Sequence, residues 1–476
     1  MNKDTNAKLS ISKEEITNRI KNMEHGGENN KIWAQRWLNN ESSGQVGLSL
    51  FSMPPIFESG SNDRLIDVDG KEYIDLLSGF SVSTLGHCNP EITEIIQRQA
   101  SKFTHNFDFP HPERIKMAEK LTNLAPIKGG KAKVAFGVTG SDSVELAIRA
   151  ARYFTGKSMV LTAYGDYHGV TYGSMPYTTK GGMRPYFYPI QPQDSGVGYF
   201  PFPYSYRSPF GDPPNGVDDD DYVLDKLKKH IEFLLESKES PYGEGTAEIS
   251  NVAAIIVEPF QSSAGYYIPP NGYLKLLREI ANKYDILLIV DEIQTGLGRT
   301  GKLWATDWDE IKPDIILTSK ALGGGLPLSA AIARADILEA WGPGAHVSTQ
   351  AGNVLACTAG NKVLDIVSDE DFLNEISEKG EYFANELKKL QKKYTFLGRV
   401  DSKGLYIGIE IVKDIESKEP GKEEASKILK ECLKEGIIFE KGGYFHNRLQ
   451  FIPPLTVTYE TLDLALTKLD RIFSKI

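Results

Sequence analysis

An aspartate and a lysine carry the first chemical signal. Asp291 closes the apolar run 286–290 (ILLIV), and Lys320 follows the run 315–317 (IIL) and leads into Gly323, Gly324 and Gly325. Both runs are short and rich in β-branched residues, so each reads as a buried parallel strand rather than a helix. In open α/β sheets, ligands sit beyond the carboxyl ends of the strands. The pattern therefore brings a carboxylate and an amine to one rim of a sheet. A lysine in a dry site of this kind can lose its proton and attack a carbonyl to form a Schiff base. A nearby carboxylate can keep a pyridinium nitrogen protonated. Pyridoxal phosphate needs both groups, the amine for its aldehyde and the acid for its ring nitrogen. On spacing alone, an ordinary Asp–Lys ion pair at two strand ends fits equally well.

Other stretches must position this pair. Residues 134–136 (VAF) read as a strand, 137–141 (GVTGS) as a small-residue turn, and 142–154 as a helix with apolar spacing. Strand, turn and helix N-terminus together form an anion site, because free N–H groups and the helix dipole face the anion. The same turn also fits a plain capped helix. Residues 160–169 (VLTAYGDYHG) place Tyr167 and His168 after another apolar run, and 251–257 is a strand that ends on Glu258 and Pro259. Core packing would equally explain the Tyr–His pair, and a cap or surface role would explain Glu258.

The bulk of the chain sets limits. It has 476 residues, 40% hydrophobic and 25% charged, which is enough for a large core and more than one domain. A net charge of −10 argues against nucleic acid or an anionic membrane surface as the main partner. Cys88, Cys357 and Cys432 are widely spaced and form no CxxC, which predicts reduced thiols and a cytoplasmic setting. No apolar run reaches membrane-spanning length, and residues 1–15 lack the apolar core of a signal peptide. No metal-ligand cluster is expected.

Residues 1–30 read as a polar arm with a short helix capped by Ser12. Residues 52–77 alternate around Asp69–Gly70 as a hairpin. Helices are expected over 91–103 and 112–124. The Pro/aromatic segment from 181, through four aspartates at 218–221, must be loop or extended chain before a helix over 223–235. Toward the C-terminus come a helix (372–394), strands (397–400 and 404–412), a helix (422–435), strands near 437 and 449, and a last helix over 459–473.

The strings VDEIQTGLGRTGKLWA and PDIILTSKALGGGLPLSA closely resemble the lysine-site signature of class III aminotransferases, pyridoxal-phosphate enzymes of fold type I. The resemblance runs from about residue 54 to the C-terminus, with several blocks in the family's order. It implies an α/β fold, with a large domain built on a mostly parallel sheet and a smaller α+β domain drawn from both chain ends. The expected divisions are an arm (1–30), a segment packing with the small domain (31–77), the cofactor domain (78–345), and an interdomain helix with the small domain (346–476). It further implies Lys320 as the Schiff-base lysine and Asp291 as the ring-nitrogen partner. Gly140 and Ser141 would hold the cofactor phosphate, Tyr167 would stack on its ring beside His168, and Glu258 and Gln294 would lie near cofactor and substrate. Thr349 would reach the neighbouring subunit's phosphate, which implies a homodimer with shared sites, or a tetramer of such dimers. Phe80 falls at a substrate-facing position.

Several positions depart from the family's best-known members. Ornithine and 4-aminobutyrate aminotransferases carry an arginine after YHG; this chain has Val170. Members that use glutamate hold its α-carboxylate with an arginine where this chain has Gln450, and Arg448 lies two residues earlier on the same strand face. Arg448 could act from that shifted position or sit on the surface. The segment PYSYRSPFG and much of the chain resemble a subgroup that includes isoleucine 2-epimerase and related amino-acid racemases. Those epimerases place an acid near Ser263, as the second of two bases. The expected function is pyridoxal-phosphate-dependent transfer of an amino group from an amino acid or amine to a 2-oxo acid. The alternative is racemisation or epimerisation of an amino acid on the same scaffold.

Overall fold

The apolar runs framing Asp291 and Lys320 are strands of one sheet in a computed structural model that describes residues 11–45, 53–179, 196–236 and 251–476. Residues 1–10 of the expected arm and 181–195 of the expected Pro/aromatic loop lie outside the described residues. The chain divides into two units, residues 1–89 with 379–476, and essentially the span 90–378.

The larger unit is built on seven strands: β1 (Ala132–Gly137), β2 (Met159–Ala163), β3 (Val197–Phe200), β4 (Val252–Val257), β5 (Leu287–Asp291), β6 (Ile315–Thr318) and β7 (Ser329–Arg334). Their order in the sheet is β1-β7-β6-β5-β4-β2-β3. From β6 to β3 the pairings are parallel; β7 runs antiparallel to both β1 and β6. β4, β5 and β6 are buried along their whole length, as continuous apolar runs require when both faces of a sheet are covered.

Alternation along β5 divides its side chains between two cores. Leu288 and Val290 face a cluster holding Leu227 and Ile231 of the helix Asp219–Glu236, with Leu277 and Ile280 of Tyr273–Lys283. Leu287 and Ile289 face Val144, Ala147 and Ile148 of the helix Gly140–Thr155. A buried ion-pair cluster pins the far edge. Asp314, before β6, accepts from Arg278 Nη1 (2.6 Å), Arg334 Nη1 (2.8 Å) and the Leu288 N–H (2.9 Å).

The strand directions put the ends of β1, β2, β4, β5 and β6 on the same rim. Five of the segments singled out for chemistry leave the sheet there: 137–141, 164–169, 258–263, 291–294 and 319–325.

The smaller unit has two four-stranded sheets. In one, the antiparallel strands Phe57–Ser61, Arg64–Asp67 and Glu72–Asp75 are joined in parallel by Ile437–Ile438, so the two chain ends share a sheet. The other runs Leu397–Lys403, Tyr406–Ile411, Arg448–Phe451 and Glu440–Gly442. Near the N-terminus, Ser12 caps the helix Lys13–Lys21, whose Ile16 and Ile20 pack with Ala34 and Leu38 of Glu28–Asn40. Asp69 receives the Gly27, Asn29 and Asn30 N–H groups at the start of that second helix. Among the described residues no helix is long and apolar enough to cross a membrane.

Candidate active site

The rim encloses a cavity lined by Gly140, Ser141, Tyr167, His168, Glu258, Asp291, Gln294 and Lys320. Eight of the nine residues expected to act in catalysis or to hold the cofactor thus meet in one place, although they come from five segments spread over 180 positions. The ninth, Thr349, is exposed in a turn outside this cavity.

Asp291 sits at the last position of β5, with the parity of Ile289 and Leu287. Its Oδ1 accepts the Ile293 N–H (3.1 Å) and its Oδ2 lies 2.8 Å from His168 Nδ1. Lys320 leaves β6 with φ 40°, in the left-handed region that a non-glycine residue rarely occupies. Ser319 just before it is anchored by a bond from its hydroxyl to Leu328 O (2.9 Å), and Gly324 and Gly325 continue the positive-φ path. The Lys320 ammonium donates to Gln294 Oε1 (2.8 Å), and Gln294 Nε2 in turn donates to the Tyr266 hydroxyl (3.0 Å).

The helix Gly140–Thr155 begins with a capping box. Thr139 Oγ1 accepts the Asp142 N–H, and Asp142 Oδ2 accepts the Thr139 and Val138 N–H groups. This box fixes the helix start, and Gly140 and Ser141 of its first turn line the cavity. Ser141 Oγ also accepts the Val170 N–H (3.3 Å). Gly169 packs so closely that a Cβ there would lie 2.1 Å from Ser141 Oγ.

A buried acid–base cluster forms the back wall. Burial alone would lower the His168 imidazole, but the flanking Asp166 and Asp291 carboxylates outweigh it and raise it to about 10. Glu258 moves up to about 8, first through burial and then through Asp166 and Asp291. Its carboxyl accepts from the Ser262 hydroxyl and from the Ser262 and Tyr167 N–H groups. Burial, then the Glu258 and Asp291 charges, also raise the Tyr167 phenol.

These groups fit pyridoxal phosphate by their donor set. A helix start and serine hydroxyl suit a phosphate, a buried carboxylate suits a protonated ring nitrogen, an aromatic wall suits a ring face, and an amine suits an aldehyde. No group of His, Cys, Asp or Glu among the described residues could hold a metal ion.

Positions that depart from the family's pattern also have a clear placement. Val170 is 42% exposed. Ser263 is half-buried and does not line the cavity. Arg448 is neither a surface residue nor a spare cation. It is fully buried in the smaller unit, 2.9 Å from Asp401 Oδ2 and 3.5 Å from Glu410 Oε2. Sequence reading passed over Asp166, Ser262 and Gly169. Asp166 stands two residues before His168, and an acid at that spacing was the only available signal.

The class-III aminotransferase family model matches residues 51–473. The leucine/methionine racemase of Thermococcus litoralis is 36% identical over 430 residues, covering 89% of this chain and 91% of that protein. Ornithine aminotransferase 2 of Staphylococcus saprophyticus is 34% identical over 431 residues, covering 88% and 94%. Among solved structures, an amine transaminase from an uncultivated Pseudomonas species superposes with a TM-score of 0.79 at 26% identity, covering 92% and 97%.

Proposed function

We propose, from the premise that this chain belongs to the class-III aminotransferase family and works with pyridoxal phosphate, that it moves an amino group from an amino acid or amine to a 2-oxo acid. The observation that carries this reading is the proton-moving equipment of the cavity. Among the described residues that line it, Lys320 is the one lysine or arginine, and the cavity's carboxyls are already engaged, Asp291 by His168 and Glu258 by Ser262.

Gly140, Ser141, Tyr167 and Asp291 would hold the cofactor by phosphate, ring face and ring nitrogen, and Gln294 would lie beside its phenolic oxygen. When bound, pyridoxal phosphate supplies an aldehyde carbon that condenses with amines and a ring that takes up the electron pair left by a departing proton. Lys320 Nζ would hold the aldehyde end of the cofactor, and as a free amine would take the proton from the substrate α-carbon. Gln294 Oε1, 2.8 Å from that nitrogen, keeps it aimed along one face. A single base that lifts and returns a proton on one face suits amino transfer. Thr349, exposed in its turn, would complete the phosphate site of a second copy in a homodimer.

A second reading is amino-acid racemisation, favoured by the 36% identity to a leucine/methionine racemase. Two-base racemisation needs a proton acceptor on each face, and Ser263 offers no carboxylate where the epimerases place one. The test uses holoenzyme with single-enantiomer amino acids and amines, each with and without pyruvate or 2-oxoglutarate. Amine transfer that requires the 2-oxo acid is the expected result. Loss of enantiomeric purity without any 2-oxo acid would replace this reading with the second.

A further inference from the structure

Behind the cavity, His168 lies between two acids. Its Nδ1 is 2.8 Å from Asp291 Oδ2, and its Nε2 lies 3.6 Å from Asp166 Oδ2, an ion-pair distance longer than a hydrogen bond. All three side chains are buried: Asp166 is 0% exposed, His168 1% and Asp291 3%. Asp166 is held rigidly. Its Oδ1 accepts from Gln261 Nε2 (2.7 Å) and its Oδ2 accepts the Glu258 N–H (3.2 Å). The imidazole is fixed through its backbone, whose N–H donates to Thr178 Oγ1 (2.9 Å), while the Thr178 hydroxyl donates to Gly169 O (2.7 Å).

We propose that Asp166 is a positioning residue of the cofactor site: by facing the outer nitrogen of His168 it keeps that ring doubly protonated, and so sets the charge behind Asp291.

A neutral imidazole has one N–H and one lone pair. Between two carboxylates, a neutral ring would turn its lone pair toward one of them. A doubly protonated ring presents a donor to each. The charge count gives the consequence. Burial pushes the Asp166 carboxyl up, while His168, Gln261 and the Glu258 N–H pull it part of the way back down. With Asp166 ionised, the three groups together carry −1, whereas an imidazolium beside Asp291 alone would leave that pair with no net charge. A protonated pyridine nitrogen in front of Asp291 is stabilised by that net charge. The other titratable groups facing this relay are Glu258 at the end of β4 and Tyr167 in the loop after β2. Glu258 is raised to about 8, so at neutral pH it adds little charge of its own. The inference rests on the reading of Asp291 as the ring-nitrogen partner.

The test starts with the protein free of cofactor. Histidine-selective ¹⁵N NMR reads the protonation of each of the eight imidazoles, with the His168 signal identified by its loss in His168→Gln. The expected result is that His168 stays doubly protonated from pH 6 to 9, and that in Asp166→Asn its midpoint falls into that range. With cofactor bound, Asp166→Asn should add an ionisation with the same midpoint to the cofactor's visible absorbance. A native His168 that is singly protonated at pH 7 would overturn the proposal even if the variant did not fold. So would an Asp166→Asn protein whose His168 and absorbance titrate as in the native protein. Asp291→Asn separates the two claims. If it leaves cofactor absorbance and affinity unmoved, the ring-nitrogen reading fails. If it moves them while Asp166→Asn does not, only the role of Asp166 falls.

Discussion

Gly169→Ala should loosen the cofactor's phosphate end far more than Gly140→Ala, although both glycines line the same cavity. Gly169 has φ +106°, outside the regions open to L-residues, which costs an alanine about 1–3 kcal/mol. Its new Cβ would also lie 2.1 Å from Ser141 Oγ and 2.8 Å from Ser174 Oγ. Neither hydroxyl can stay in place. Moving Ser141 breaks its bond with the Val170 N–H, worth about 1 kcal/mol. The total is about 2–4 kcal/mol, or roughly 30- to 1,000-fold in affinity if all of it falls on the cofactor-bound state. At Gly140 the added Cβ meets one side chain, Ile293, with Cδ1 at 2.9 Å and Cγ2 at 3.4 Å, and no positive φ is involved. A small isoleucine adjustment, offset by alanine's better helix propensity, should leave affinity within about tenfold of native. The assay is cofactor titration by absorbance, with urea unfolding of the cofactor-free protein beside it to show where the free energy falls. Gly169→Ala protein with native affinity and native stability would refute the reasoning, because then the crowding of Ser141 has no consequence.

Glu258→Gln should change how stability depends on pH. The native carboxyl titrates near 8 and the ordinary one near 4.5, so the folded state holds a proton that the unfolded chain releases over that window. Unfolding free energy therefore falls as pH rises from 4.5 to 8, by at most about 1.4 kcal/mol per unit from this group, and Gln removes that slope; equal slopes in urea melts of both proteins would contradict it. Lys320→Ala should lower turnover by at least about 100-fold, the lower end of what a positioned general base contributes. Borohydride reduction should then leave no cofactor adduct at residue 320 by mass spectrometry. Asp314→Ala strands buried Arg278 and the Leu288 N–H, at a cost of about 3–5 kcal/mol; the urea midpoint should drop, while the cofactor spectrum of the surviving folded protein stays native.

What could be read in the sequence was whatever is local to it. The runs at 286–290 and 315–317 are strands because unbroken β-branched stretches pack on both faces of a sheet, and that period survives in one dimension. The helices Pro112–Leu124 and Tyr459–Phe473 fall where apolar spacing puts them. The first of the two long C-terminal strands runs further than expected, to Lys403, because its partner Tyr406–Ile411 pairs with it down to the turn. Strand ends also told where ligand chemistry must gather, because direction in a parallel sheet fixes which rim a loop leaves from.

Partners across the fold were not legible, and Arg448 shows why. Strand spacing gave the face it shares with Gln450, but nothing in the order of residues says that Asp401 and Glu410 arrive opposite it. Once they do, a fully buried guanidinium between two carboxylates cannot be drawn toward a substrate without breaking both buried ion pairs, at several kcal/mol. The same through-space logic works in the other direction at His168. Its neighbour in sequence, Tyr167, was read as a cofactor contact, while Asp166, one residue further back, reads as an ordinary loop acid. It becomes a chemical group only because the loop after β2 folds it over the imidazole that Asp291 holds from the far side. With Val170 and Gln450 where the family's best-known members carry arginine, the proposed reading expects donors whose second substituent is neutral or cationic. Comparing kcat/KM for an uncharged amine, a monocarboxylic amino acid and a dicarboxylic one tests this directly. A clear preference for the dicarboxylic donor would refute that expectation.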